Sequence, residues 1–163
     1  MEPGETITYR PIGIIHSPFT KPKGTPIQSI AGQGIKGTVE VFQEFIAGLA
    51  DLNGFSHVIL VYDFHLSGKP VLKLKPYMDT QARGVFSTRA PIRPNPIGIS
   101  IVSLTGIEKN ILSVSDLDII DGTPLLDIKP HVPEFDCRDN GKIGWLKENI
   151  HKLSALKDDG RFH

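Results

Sequence analysis

Ser56-His-Val-Ile-Leu-Val-Tyr-Asp-Phe-His65 sets the architecture of this chain. It is rich in β-branched and aromatic residues, and its even positions, Val58, Leu60, Tyr62 and Phe64, are all mainly apolar. Its odd positions carry His57, Asp63 and His65 around Ile59 and Val61. Side chains alternate across a strand, so one face is apolar and the other has polar groups at both ends. This is the expected central strand. Working outward, Tyr9–His16 reads as a strand stopped by Ser17-Pro18, and Val39–Phe42 as another. Ile97–Leu104 and Ile111–Val114 form an expected hairpin with Glu108-Lys-Asn110 at its tip, and Leu125–Ile128 is a further strand. Val71–Leu74 and Gly84–Ser87 are short strand candidates, and Thr20–Gly34 is too broken by Pro and Gly for regular structure. Gln43–Leu49 reads as a short helix closed by Asn53-Gly54, and Ile143–Leu156 as a C-terminal helix. The order is mostly β with sparse helices, which predicts a barrel or closed sheet.

The 163 residues suit one domain able to bury a sizeable core without metal or disulfide staples. Sixteen glycines and 13 prolines favour short strands joined by turns. Lys plus Arg equals Asp plus Glu, 18 against 18, so total charge does not argue for a polyanionic partner. Its distribution does say something. Between Leu66 and Asn95 lie Lys69, Lys73, Lys75, Arg83, Arg89 and Arg93 against Asp79 alone. Between Ile111 and Asn140 lie Asp116, Asp118, Asp121, Asp127, Glu134, Asp136 and Asp139 against Lys129 and Arg138. A basic middle precedes an acidic follow-on. The single cysteine, Cys137, excludes an intrachain disulfide. The start MEPGETITYR has no apolar core of signal-peptide length, and no apolar run approaches the roughly 18 residues of a membrane span. A cytoplasmic, membrane-free protein is expected.

Three clusters can carry chemistry. In Arg83-Gly-Val-Phe-Ser-Thr-Arg89-Ala-Pro-Ile-Arg93-Pro-Asn95-Pro-Ile-Gly98, three prolines hold their own φ at about −65° and push the preceding residues into extended conformations. The loop reads as a stiff grip for a carboxylate or phosphate, or as a rigid connector whose arginines pair with the acidic segment downstream. The second cluster is Asp116-Leu-Asp118-Ile-Ile-Asp121-Gly-Thr-Pro-Leu-Leu-Asp127-Ile-Lys-Pro130. Its Asp-Gly-Thr-Pro turn offers backbone N–H groups, and its aspartates suit a hard cation or, for Asp116 and Asp118, turn chemistry and ion pairs. They lack EF-hand spacing, so no metal is expected. Third, His57 and His65 share a strand face but lie roughly 26 Å apart at about 3.3 Å per residue, too far to chelate one ion. No G-x-G-x-x-G follows a strand and no Walker loop is present, so any nucleotide-like cofactor is held by other means.

Gly84-Val-Phe-Ser-Thr-Arg-Ala-Pro-Ile-Arg-Pro-Asn-Pro-Ile-Gly-Ile-Ser100 closely resembles the signature of the TsaA-like (TrmO) family. Gly13-Ile-Ile-His-Ser-Pro-Phe19, Gly54-Phe-Ser-His57 with Phe64-His65, and Asp121-Gly-Thr-Pro-Leu-Leu-Asp-Ile-Lys-Pro130 resemble it too, in the family's order. The resemblance implies a single-sheet β-barrel that works as a homodimer. It implies an S-adenosylmethionine-dependent methyltransferase acting on N6 of threonylcarbamoyladenosine beside the anticodon of tRNA. By motif, Ser17, Pro18, Phe19, Ser56, His57, Arg83, Arg93, Asp121, Gly122, Thr123, Pro124 and Leu125 are the implied cofactor contacts. Ala90 stands where a serine is common, His131 where a tyrosine is, and Asp79-Thr-Gln81 replaces a more glycine-rich approach to the loop. One domain over residues 1–163, without a separate C-terminal domain, is expected, which leaves tRNA contacts to the barrel.

Such an enzyme chiefly has to align a methyl group with a nitrogen that must lose a proton. Arg89 or Arg93 is suited to stabilise the developing anion or clamp the threonyl carboxylate, with Asp127 or His65 as candidate bases. The Lys69, Lys73 and Lys75 stretch reads as a phosphate contact or as a solvated edge strand. Two rivals stand beside this reading: a same-fold methyltransferase for another nucleoside or a small molecule, and a non-catalytic barrel that binds a nucleotide or RNA.

Overall fold

A computed structural model describes residues 4–138 and 140–163, so Asp139 and the first three residues of MEPGETITYR lie outside the described residues. The strands are β1 (Gly13–His16), β2 (Lys36–Val41), β3 (His57–Asp63), β4 (Lys73–Leu74), β5 (Arg83–Gly84), β6 (Ile97–Glu108), β7 (Ile111–Ser115) and β8 (Thr123–Pro130). Six of them close into a barrel in the order β1-β2-β7-β6-β3-β8, with β8 returning to β1 and every neighbouring pair antiparallel. Closure removes both sheet edges, which otherwise expose unpaired N–H and C=O groups. The strands β4 and β5 form a separate ribbon.

The expected central strand does sit between two long partners, β6 and β8. Val58 and Leu60 are fully buried and Tyr62 nearly so, as their even spacing requires. They meet Ile15, Val39, Val41, Val102, Leu112, Val114 and Leu125 inside the barrel. Each such side chain contributes about 1.5–3 kcal/mol on burial. Leu117 and Ile119, from the connection between β7 and β8, join this core and plug the barrel mouth. A second, smaller core of Leu74, Val85, Ala90 and Phe162 anchors the ribbon, the arginine loop and the chain's last residues to one another.

Several elements differ from the sequence expectation. The first strand begins at Gly13 rather than Tyr9, where pairing with β2 and β8 starts. Strand β6 runs on to Glu108, because a register shift between Leu104 and Gly106 lets it keep pace with β7. The C-terminal helix is corrected to two 3-10 segments, Gly144–Glu148 and Ile150–Ala155, meeting at Asn149. The indole of Trp145 donates to the Ser87 carbonyl at 2.8 Å and the Asn149 amide to the Trp145 carbonyl at 3.2 Å. Tertiary anchoring of this kind overrides helix propensity. Gln43–Leu49 is likewise a 3-10 segment.

Candidate active site

The connection from β3 to β6 leaves and re-enters the barrel at one rim, where Asp63 pairs with Ile97. Thr123, opposite Ile15, lies at the same rim. The excursion between them carries the ribbon and the arginine loop, and it folds back over the rim to wall a cavity of about 830 Å³. The floor is Tyr62, Asp118 and Ile119 from the barrel mouth. Gln28 and Ile30 form one side, and Phe86, Arg89 and Arg93 another. Trp145, Leu153 and Phe162 close it from the C-terminal segment. Mostly apolar walls with a few converging polar groups are the usual make-up of a small-molecule site.

Stiffness in the arginine loop has local causes. Val85 and Ala90 are buried, the Thr88 hydroxyl donates to the Val85 carbonyl at 2.8 Å, and Arg93 Nη1 donates to the carbonyls of Thr88 and Ala90 at 3.1 and 3.3 Å. Arg93 therefore staples its own loop and also lines the cavity. Arg89 also lines it, with Nη1 donating to Gln28 Oε1 at 2.9 Å. Arg83 is committed elsewhere: Nε and Nη2 donate to Asp79 Oδ2 at 2.9 and 2.7 Å, and the guanidinium lies 5.7 Å from the Trp145 ring centre. It buttresses the wall that Trp145 forms.

Beneath the arginines runs a buried polar chain. Ser100 donates its hydroxyl proton to Asp118 Oδ1 at 2.6 Å, and Tyr62 Oη lies 3.0 Å from Ser100 Oγ. A serine has one proton to give, so the Tyr62 phenol is the donor to Ser100. Burial pushes the Asp118 carboxyl up to about 6, against the pull of the Ser100 hydrogen bond and the Arg89 charge. Burial, with the Asp118 charge beside it, also holds the Tyr62 phenol far above its ordinary value, so it stays a donor. Two residues away, Asp116 is held below the usual carboxylate range, first by the Gly34 amide and then by the Ser103 hydroxyl.

The residues singled out in the sequence fall into separate places. Arg89, Arg93 and Thr123 line the cavity. Thr123 donates to the Ile120 carbonyl at 2.7 Å and lies 3.4 Å from His65 Nδ1. Ser17, Pro18 and Phe19 interlock with the Asp121-Gly122 turn behind the rim. The Ser17 amide donates to Asp121 Oδ1 at 3.1 Å, and the Asp121 and Gly122 amides donate to the carbonyls of Phe19 and Ile15. Gly122 has a φ of 77°, which favours glycine there. Pro124 and Leu125 continue into β8, Leu125 within the core. Ser56 precedes β3 and His57 begins it at its other end, roughly 20 Å from Asp63 at about 3.3 Å per residue. There His57 contacts Ser56 Oγ and Ser103 Oγ at 2.9 and 3.2 Å. Asp127 pairs with Val61 on the outward face of β8 and bonds Lys129 at 2.7 Å. It does not line the cavity.

Sequence reasoning missed Gln28, Trp145 and the Tyr62–Ser100–Asp118 chain. Asp118 stood in the acidic run but read as turn chemistry, and Tyr62 read as core. Among the described residues there is no cluster of three metal-ligating side chains, and no helix is long and apolar enough to cross a membrane.

Barrel and cleft together define a small β-barrel protein with a cleft at one rim that gathers Arg89, Arg93 and Asp118. The family described as tRNA-methyltransferase O N-terminal domain matches residues 14–137, and the chain belongs to it. A Pyrococcus abyssi protein called "Probable S-adenosyl-L-methionine-binding protein" is 61% identical over 96% of this chain and 85% of its own length. The tRNA (adenine(37)-N6)-methyltransferase of Mus musculus is 37% identical over 95% of this chain but only 37% of its own length. The crystal structure of TrmO from Pseudomonas aeruginosa superposes with a TM-score of 0.73 at 37% identity, covering 86% of this chain and 63% of that one. The chain thus spans less than two thirds of those last two proteins. Trp145, Leu153 and Phe162, which wall the cleft, lie beyond the matched residues.

Proposed function

We propose that this chain is an S-adenosylmethionine-dependent methyltransferase acting on N6 of threonylcarbamoyladenosine in tRNA, in the cytoplasm. Its family and its relatives' names support the reaction class. The observation that carries the site is the convergence of Arg89, Arg93 and Asp118 on one aromatic-walled cleft. Those residues fit the cofactor. Phe86 and Trp145 offer apolar surface to a purine, and Arg93 a fork to a carboxylate. When bound, the cofactor supplies a methyl group already activated on sulfur. The chain's own residues then exclude water, fix the acceptor's orientation and neutralise charge on its carbonyl oxygens through Arg89 and Arg93. The exposed Lys69, Lys73 and Lys75 lie beside the cleft wall at 76–78 and supply salt-dependent phosphate contacts.

Isotope transfer from labelled cofactor decides the substrate. Transfer to tRNA bearing the threonylcarbamoyl mark is expected, and an equal rate on unmarked tRNA would refute it. Calorimetry with S-adenosylmethionine separates enzyme from binding barrel for nucleotides or RNA: no heat at millimolar ligand sinks the enzyme reading.

The working unit is a homodimer. Ile97, Ile99 and Ile101 on the outward face of β6 are 42, 50 and 41% exposed, and in register beside them lie Asp63, Val61 and Ile59 of β3. Ile97 and Ile99 also line the cleft, so a second copy seated on this stripe walls the cavity from outside. Sedimentation should give a dimer for the native chain and a monomer for Ile99→Arg, with activity lost in proportion. A native monomer at tens of micromolar protein refutes the dimer.

A further inference from the structure

We infer that Asp118 takes the proton from the acceptor nitrogen during methyl transfer, and that Tyr62 and Ser100 hold its carboxylate in position. This rests on the methyltransferase reading above. A urea-type nitrogen is a poor nucleophile while its N–H is intact, so the cleft has to supply a proton acceptor. The balance is simple. The N–H bond breaks, its proton passes to Asp118, and its electron pair forms the N–CH3 bond. The pair of the old S–CH3 bond stays on sulfur, leaving a neutral thioether, and Asp118 releases the proton to water once product has gone.

Four observations select Asp118. It lines the cavity together with Arg89 and Arg93 of the arginine loop. Ser100 engages its Oδ1 at 2.6 Å, and among the described residues no side-chain donor engages Oδ2. The donors run in one direction, Tyr62 to Ser100 to Asp118, so the serine proton is committed to the carboxylate and the phenol orders the serine. Its environment separates it from Asp116: burial drives one carboxyl up and amide and hydroxyl donors drive the other down. The charged and titratable groups facing Asp118 are Arg89 from the loop and Tyr62 from β3, with the Ser100 hydroxyl from β6. The earlier candidate Asp127 is turned outward and tied to Lys129. His65 also lines the cavity but is exposed at the rim, its Nδ1 near Thr123.

The test uses the full chain and two kinds of readout. In the ligand-free protein, carbon-13 carboxyl shifts should titrate Asp118 with a midpoint near 6, and Ser100→Ala should move that midpoint to higher pH because a donor to the anion is lost. A midpoint in the ordinary carboxylate range overturns the inference without any assay of activity. In turnover, Asp118→Asn should lower kcat on the order of 100-fold or more, leaving KM for tRNA and the calorimetric affinity for S-adenosylhomocysteine within about threefold. Asp118→Glu should recover part of the rate. The native kcat should fall as pH drops through the Asp118 midpoint, and Ser100→Ala should carry that limb upward with the carboxyl shift. Near-native kcat in Asp118→Asn, an acid limb that ignores Ser100→Ala, or loss of the limb in His65→Gln instead, each overturns the inference. A native chain that binds neither cofactor nor product is a failure of the methyltransferase reading itself, and the inference falls with it.

Discussion

Arg93→Ala is expected to lower kcat/KM for methyl transfer by roughly 100- to 1000-fold, the range seen when one preorganised donor to a developing anion is removed. The expectation rests on what the side chain already does. Nη1 is spent on the carbonyls of Thr88 and Ala90, so the guanidinium is held in place before any ligand arrives. A fork fixed in advance loses little rotamer freedom on binding, whereas a free arginine would lose up to about 2 kcal/mol. Those carbonyl contacts also set the cost in stability. Two hydrogen bonds at a half-buried position are together worth about 1–3 kcal/mol, or a few degrees in Tm for a chain of this size. Arg93→Lys keeps the charge but not the planar fork and should recover at most about a tenth of the lost rate. The comparison of kcat/KM with Tm is the check. Near-native turnover in Arg93→Ala would mean that the staple is the residue's whole purpose.

What could be read from the sequence was what depends on neighbours in the chain. The alternation of Val58, Leu60 and Tyr62 reports a half-buried strand because it is a property of consecutive residues. The same holds for the stiffness that Pro91, Pro94 and Pro96 impose on the arginine loop. The relay is a different case. Tyr62 and Ser100 are 38 positions apart and Ser100 and Asp118 are 18, so only the pairing of β3 with β6 and the fold-back of the β7–β8 connection bring them together. Before that, Tyr62 is one more apolar position and Asp118 one more aspartate in a turn. Trp145 was likewise hidden. It sits in a segment whose local pattern favours a helix, yet its contacts to Ser87 and Arg83 serve the cleft. At Arg83 motif and geometry point in different directions. Its type and spacing suggest a grip for the cofactor, while its donors are taken by Asp79.

Gly98→Ala should cost this chain both stability and turnover. In register, Gly98 faces Tyr62 across the β3–β6 pair, and a Cβ there would come within 2.2 Å of Tyr62 Cε2 and 2.5 Å of Cζ. The ring cannot simply swing away. It is 4% exposed and meets Phe64 edge to face at 5.3 Å between centres. Overpacking of a fixed aromatic costs about 1–3 kcal/mol, which for a chain of this length lowers Tm by roughly 3–10 °C. The functional cost should be larger than that. Displacing the ring pulls Oη from Ser100, and Ser100 is what orients Asp118. Packing and chemistry are separable with a second change. Tyr62→Leu on the Gly98→Ala background removes the clash but also the phenol, so residues in direct contact should couple strongly in Tm while the rate stays low. Thermal unfolding and turnover of the single and double variants decide the matter. If Gly98→Ala melts within a degree of the native chain, the ring has room that this packing denies it. If the double variant recovers both stability and rate, the phenol has no part in positioning Asp118.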